Sequence, residues 1–308
     1  MPFAQGARTG ISYVPEVTFG TTPGSPQLVA FPYTSFDVNL TKERIQSSAL
    51  TPDRMVRNDR HGNRQVSGEF AVELSGDDFD PFLEAVMMSS YATNVLKVGS
   101  TPKHFTFEDG ANDISQFRVF TGVTVGSMSL SVSPNSMVNT TFGVVGKGMT
   151  LVGTTIDPTK TAASGNVPFD SCTGTIGVAN AGSPPVAVAN ISSIELSLDN
   201  ALSPTFVVGN CETPQLEYGM FTLTGTVTAY FDSNALYNRF INEIETAINF
   251  TLTDPGAAHT YTFLIPRAKF NTANAPVSGP TSRMLTIEFS AIYDTTTNTI
   301  LQITRTNV

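Results

Sequence analysis

The chain has 308 residues, a formal net charge of −9 and only 14% charged residues, with 24 Gly and 19 Pro. That length holds one large core or two domains of ordinary size. The acidic balance excludes a protein whose main task is to grip nucleic acid, which takes basic surface. Abundant Thr, Ser and Val between frequent Gly and Pro favours β-structure with many turns, because β-branched side chains fit a pleated surface. Cys172 and Cys211 read as free thiols without metal-ligand spacing. The N-terminus has no apolar stretch of signal-peptide length, and no run approaches the roughly 18 apolar residues of a spanning helix. A chain kept in the cytoplasm until it joins something larger is expected.

Residues 1–30 contain Gly6, Gly10, Pro15, Gly20, Pro23, Gly24 and Pro26 and read as an extended N-terminal arm that wraps onto a neighbour or is disordered alone. Phe36, Val38 and Leu40 then alternate on one face of a strand. The polar stretch Thr41–Gln65 carries six of the chain's 17 Lys and Arg: Lys42, Arg44, Arg54, Arg57, Arg60 and Arg64. It is long for an unstructured connection, so it is a functional loop or an extended hairpin. Docking onto an acidic surface of a partner subunit competes with a plain solvated loop. A nucleic-acid site fits less well, because no aromatic residues interleave the charges.

Val66–Leu74 is an alternating strand that leads through a short acidic turn into an amphipathic helix. Phe79, Phe82, Leu83 and Val86 share one helical face. Pro81 is tolerated only in a first turn, which starts the helix near Asp78 to Asp80. Asp77, Asp78, Asp80 and Glu84 form an acidic cluster; it reads as a helix N-terminus with a solvated face rather than as a cation or acid–base site. His104–Phe107, Gln116–Val132 and Met137–Val145 read as strands. Thr150–Pro185 shifts to Thr, Gly, Ala, Ser and Pro and reads mostly as linker, with a short strand pair allowed around Thr175–Val178.

The pattern then restarts. Ser35–Leu40 matches Ser193–Leu198 at an offset of 158, and Gly68 matches Gly225 at 157. Phe79, Phe82, Leu83 and Val86 match Tyr237, Phe240, Ile241 and Ile244 at 158, and these eight are the expected core of a repeated unit. His104–Phe107 resembles the segment from His259 to Phe263, and Met137 and Phe142 match Met284 and Phe289 at 147. Ordered matches at a slowly drifting offset predict a tandem duplication. The expected divisions are the arm 1–30, a first domain 31–155, a linker 156–187 and a second domain 188–308. The second copy's loop, Asn200–Met220, lacks the basic residues of the first. No HExxH, CxxC, P-loop, GxSxG or GxGxxG arrangement is present, and His104 and His259 read as strand-edge residues inherited by duplication. No catalytic, cofactor or metal site is expected, and an enzyme is not expected.

Several of these segments together resemble the tail tube proteins of long-tailed bacteriophages. They are Phe19-Gly20-Thr21-Thr22-Pro23, the charged Arg54–Arg64 stretch before Val66-Ser67-Gly68, the strand–helix unit, and Ile194-Glu195-Leu196-Ser197-Leu198-Asp199-Asn200. The resemblance implies a mainly β (α+β) chain of two tandem β-sandwich tail-tube domains, each with one flanking helix. It implies sheets that join between subunits into a barrel around a lumen. A two-domain chain would supply six positions from three subunits. It further implies rings that stack by their long loops, contact with tape measure, tail terminator and distal tail proteins, and genomic DNA passing through without specific binding. The location implied is the virion tail, assembled in the host cytoplasm, with no membrane. The alternative is a two-domain adhesin or carbohydrate-binding sandwich, which would carry a secretion signal and exposed aromatic residues; the chain has no Trp.

Overall fold

A computed structural model describes residues 3–188, 190–277 and 279–307. The first half contains β1 (Thr9–Glu16), β2 (Val29–Ala30), β3 (Ser35–Gln46), β4 (Asp59–Glu73), α1 (Asp80–Val86), β5 (Val95–Lys97), β6 (His104–Ala111), β7 (Gln116–Val132), β8 (Asn139–Gly146) and β9 (Gly148–Val152). The second contains β10 (Thr175–Asn180), β11 (Val186–Ala187), β12 (Ile191–Asp199), β13 (Ser203–Pro204), β14 (Leu216–Glu217), β15 (Thr222–Tyr230), α2 (Ala235–Ile241), β16 (Thr246–Thr253), β17 (His259–Asn274), β18 (Met284–Ala291) and β19 (Gln302–Asn307).

One antiparallel inner sheet runs through both halves in the order β3–β4–β8–β7–β12–β15–β18–β17. Each half adds an outer layer: β2–β1–β6–β7–β9 in the first, β11–β10–β16–β17–β19 in the second. The long strands β7 and β17 belong to both layers. Register shifts bend each of them where it passes from one layer to the other, as an extra residue in one strand does.

The halves share their registers as well as their order. Val38↔Gly68↔Val144↔Val125 in the first corresponds to Leu196↔Gly225↔Phe289↔Phe270 in the second. In the outer layer, Tyr13↔Phe107↔Phe120 corresponds to Val178↔Ile248↔Ile265. Glycine is needed at the same place in both. A Cβ on Gly68, whose φ is +150°, would lie 1.9 Å from the Asp37 carbonyl oxygen, and one on Gly225 would lie 2.6 Å from that of Glu195.

These registers correct several expectations. Residues 9–16 are a strand paired along its whole length with β6, with Ile11, Tyr13 and Val14 buried, so the N-terminal segment is part of the fold rather than a free arm. The expected linker 156–187 contains β10 and β11, the counterparts of β1 and β2. Its Phe169 is fully buried and exchanges backbone bonds with Leu74 and Val138. The match of Phe142 with Phe289 slips by two residues: Phe289 pairs where Val144 does. A shift of two leaves every side chain on its own face, so alternation cannot detect it. His104 and His259 are not equivalent, since His104 opens β6, whose counterpart is β16, while His259 opens β17.

The helices correct in the same way. Met87, Met88 and Ser89 donate backbone bonds to Leu83, Ala85 and Glu84; Asn242, Glu243 and Ile244 repeat this with Asn238, Phe240 and Arg239. Met88 and Glu243 both have positive φ, 47° and 49°. Val86 therefore corresponds to Ile241 and Phe82 to Tyr237. The helical period keeps apolar residues in line after a slip of three, which explains the misalignment. Phe79, Phe82, Leu83 and Val86 are fully buried, but Tyr237, Phe240 and Ile244 are half-buried and Ile241 is 60% exposed. The second helix is not a finished core element.

The first half's core is aromatic: Tyr13, Phe31, Phe70, Phe82, Phe105, Phe107 and Phe142 interlock with ring separations such as 5.2 Å for Phe70–Phe82 and 5.3 Å for Phe70–Phe142. Each such ring stabilises the fold by about 1.5–3 kcal/mol through burial. Where the halves meet, one carboxylate of the expected solvated acidic cluster, Asp80, is buried in a polar joint, whereas Asp77 is exposed and Asp78 and Glu84 are half-buried. Asp80 Oδ1 accepts from the Tyr261 hydroxyl (2.5 Å) and Asp80 Oδ2 pairs with Arg305. The Asp77 N–H donates to the Tyr261 oxygen (2.9 Å), and Arg305 lies over the Tyr91 ring at 4.3 Å. Burial, followed by the Asp80 charge, pushes the Tyr261 hydroxyl pKa far up, so it stays a donor. β5 pairs with β19 beside this joint.

Tyr261→Phe leaves the Asp77 N–H and an Asp80 oxygen without their buried partner and is expected to cost about 1–3 kcal/mol, read as a lower urea midpoint; an unchanged midpoint would contradict the joint. His104, 2.7 Å from the Thr124 hydroxyl, has its pKa lowered by burial, against the opposing charge of Glu16. A depressed folded pKa means stability that is present above the ordinary histidine value of about 6.5 and is lost as pH falls toward the folded one. The urea midpoint of the native chain should fall from about pH 7 to about pH 5 by more than that of His104→Gln; equal falls would contradict a neutral half-buried ring.

Candidate functional site: a polar sheet face between two open edges

The inner sheet has two unlike faces. Val38, Phe70, Phe142, Leu130, Leu196, Val227 and Ile287 point into the sandwich and are buried. The opposite face carries Ser, Thr and Asn, with carboxylates at Asp37, Glu69, Glu73, Glu195, Asp199 and Glu288. Lys269 lies on it, its ammonium 3.0 Å from Glu243, and the Arg118 guanidinium reaches its rim to donate to Asn39 Oδ1 (3.0 Å). A shallow cleft crosses this face where the halves join, lined by Ser129, Ser131, Asn139, Glu195, Thr224 and Glu288 among others. Sequence alternation marked two faces per strand without saying which was wet. The signal was present: the polar positions of these strands hold acids and hydroxyls but almost no Lys or Arg, unlike a strand facing open solvent.

At the centre of the sheet β7 pairs with β12, from Ile194↔Val132 to Asp199↔Ser127. The Asn200 N–H donates to the Gly126 carbonyl (2.9 Å), so pairs in step with it exchange hydrogen bonds and Ser197↔Ser129 does not. At the two ends of the sheet this partnership is missing. Among the described residues β3, the counterpart of β12, pairs only with β4. From Thr272 onward β17, the counterpart of β7, pairs only with β18. Val277, just past the end of β17, is 78% exposed. Unpaired edges of this length invite another strand.

The segment Thr41–Gln65 is an extended hairpin. Lys42 and Arg44 lie on β3, Arg60 and Arg64 on β4, and Arg54 and Arg57 in the tip. Arg44 pairs with Asp59 (2.6 Å), Arg57 with Asp53, and Arg64 with Glu212 of the second half's long loop (2.7 Å). The Thr51 hydroxyl, ahead of N–H groups in the tip, holds the Asp53 carboxyl below its usual range. The sequence reading missed the apolar part of this projection: Ile45, Leu50, Met55 and Val56 are all more than half exposed, Leu50 completely. Among the described residues no group of three or more His, Cys, Asp or Glu is placed to hold a metal ion, and no helix is long and apolar enough to cross a membrane.

A two-part β-sandwich with an acidic hydroxyl-rich face, bare sheet ends and a projecting hairpin is a structural protein of a larger body. The profile of the family described as "Phage tail tube protein" matches residues 6–291, and the chain belongs to that family. It is a structural component of the phage tail, located in the virion. No curated protein matches it. Nothing in the fold favours the adhesin alternative. The expected β-sandwich architecture with two flanking helices is present, and no barrel closes within one chain.

Proposed function

We propose that three copies of this chain join head to tail into a ring, and that stacked rings form a tube through which the genome passes. The observation that carries this reading is the internal β7–β12 pairing, which serves as a template for the contact between copies. Transferring its register by the repeat pairs β3 of one copy with β17 of the next: Phe36 with Val277, Val38 with Ala275, Asn39 with Asn274 and Thr41 with Thr272. Pro276 fits this arrangement. Its counterpart Ser131 is at a position that does not hydrogen-bond toward β12, so the missing N–H costs the seam nothing. Heterologous contacts that close after three steps leave no free edge. The repeating units are residues 9–152 and 175–307, joined by 153–174.

In this ring the acidic face lines the lumen. Carboxylates repel DNA phosphates at short range, within a Debye length of about 8 Å at physiological salt. The same face offers no cation cluster to hold the backbone and no aromatic array to stack bases. The chain acts without catalysing a reaction. Rings stack through the β3–β4 hairpins, whose apolar tip and Lys42, Arg44, Arg54, Arg57, Arg60 and Arg64 meet an adjacent ring. The tube ends meet the tape measure, tail terminator and distal tail proteins.

Asn39 and Asn274 fall at a non-hydrogen-bonded pair, where opposed side chains approach most closely. With both exposed cysteines replaced by Ser, Asn39→Cys with Asn274→Cys should oxidise in assembled tubes to a covalent three-chain species and nothing larger. No cross-link would contradict the seam, and a ladder running to six chains would contradict the trimer. Replacing Arg54, Arg57, Arg60 and Arg64 together with Ser should leave soluble, folded subunits that form no tubes by electron microscopy; normal tubes would contradict the stacking role.

A further inference from the structure

We infer that the exposed face of α2 seats against the edge formed by β3 and β9 of a second copy of this chain, giving the ring an outer contact besides the strand seam. This rests on the head-to-tail reading and adds a different pair of surfaces to it. The two helices occupy the same place in their halves but not the same surroundings. Leu83 and Val86 on α1 are fully buried; their counterparts Asn238 and Ile241 on α2 are exposed, Ile241 by 60%.

One edge of the second half also reaches α1. The Asn200 side-chain amide, just past β12, donates to the Val86 carbonyl (2.8 Å), and Arg305 on β19 pairs with Asp80. Ile303, two residues before Arg305 on β19, is fully buried and pairs with Leu96 on β5. That edge has a counterpart in the first half. Lys42 on β3 stands where Asn200 does. The registers Val119↔Thr150 and Leu264↔Gln302 place Leu151 on β9 where Ile303 is. Leu151 is 67% exposed.

An exposed Ile on α2 and an exposed Leu on β9 thus stand where Val86 and Ile303 are buried, at the counterparts of a helix and an edge that meet once inside the chain and are left open at its ends. The rotation that brings β17 onto β3 also brings α2 onto this edge. The outer contact differs from the internal one in chemistry. Ala235 stands at the place of Asp80, and the short connection from α2 to β16 has no strand like β5. It is therefore an apolar contact without the buried ion pair.

Both residues are exposed in the single chain, so Ile241→Asp and Leu151→Asp should melt at the native temperature while associating roughly ten- to a hundredfold more weakly, seen as a higher critical concentration for tube formation. Tubes at the native concentration from both variants would overturn the inference. In the cysteine-free background, Ile241→Cys with Leu151→Cys should cross-link between chains of assembled tubes with a short bis-maleimide. If Asn39→Cys with Asn274→Cys links while this pair does not, the outer contact is wrong and the seam stands. If neither pair links, both fail.

Discussion

Backbone N–H and C=O groups at the rim of a sheet need partners, and this chain satisfies that demand at its centre while leaving it open at both ends. β7 meets β12 in a continuous antiparallel ladder, whereas their counterparts β17 and β3 end the sheet. Duplication makes the consequence explicit. A contact between two units that has been captured inside one polypeptide displays the geometry that identical units use between polypeptides. The rest of the architecture follows from protecting or exposing that junction.

The captured junction is reinforced beyond what the repeat itself offers. Asp80, Tyr261 and Arg305 form a buried joint, and β5 adds a short strand to β19. None of these has a counterpart on α2. Removing one partner from a buried charge pair is costly, and such pairs specify one arrangement even when they add little net stability. The joint suits a permanent connection. The ends of the chain instead present apolar and hydroxyl-bearing side chains, which can remain in water before assembly and pack afterwards.

Much of the fold was legible because strand alternation and the glycines at Gly68 and Gly225 recur in order. The errors have a common cause. A period-two pattern is blind to a slip of two, which hid the register of β8 against β18. A helical face is nearly blind to a slip of three, which misplaced Ile241 in the core. β1 was read as an arm because its Gly and Pro residues suggest irregular chain, although Pro15 sits at its end beside the buried Glu16. Burial of Asp80 was invisible because its partners, Tyr261 and Arg305, are 181 and 225 residues away. The polar face could be seen only once pairing had set every strand beside its neighbours.

A density map of assembled tubes that resolves individual strands tests the central claim most directly. The account predicts three chains per ring, β3 of each paired with β17 of the next in the register of β12 on β7, and Asp37, Glu69, Glu195 and Glu288 facing the channel. Six chains per ring, a seam between other strands, or these carboxylates on the outer surface would contradict it.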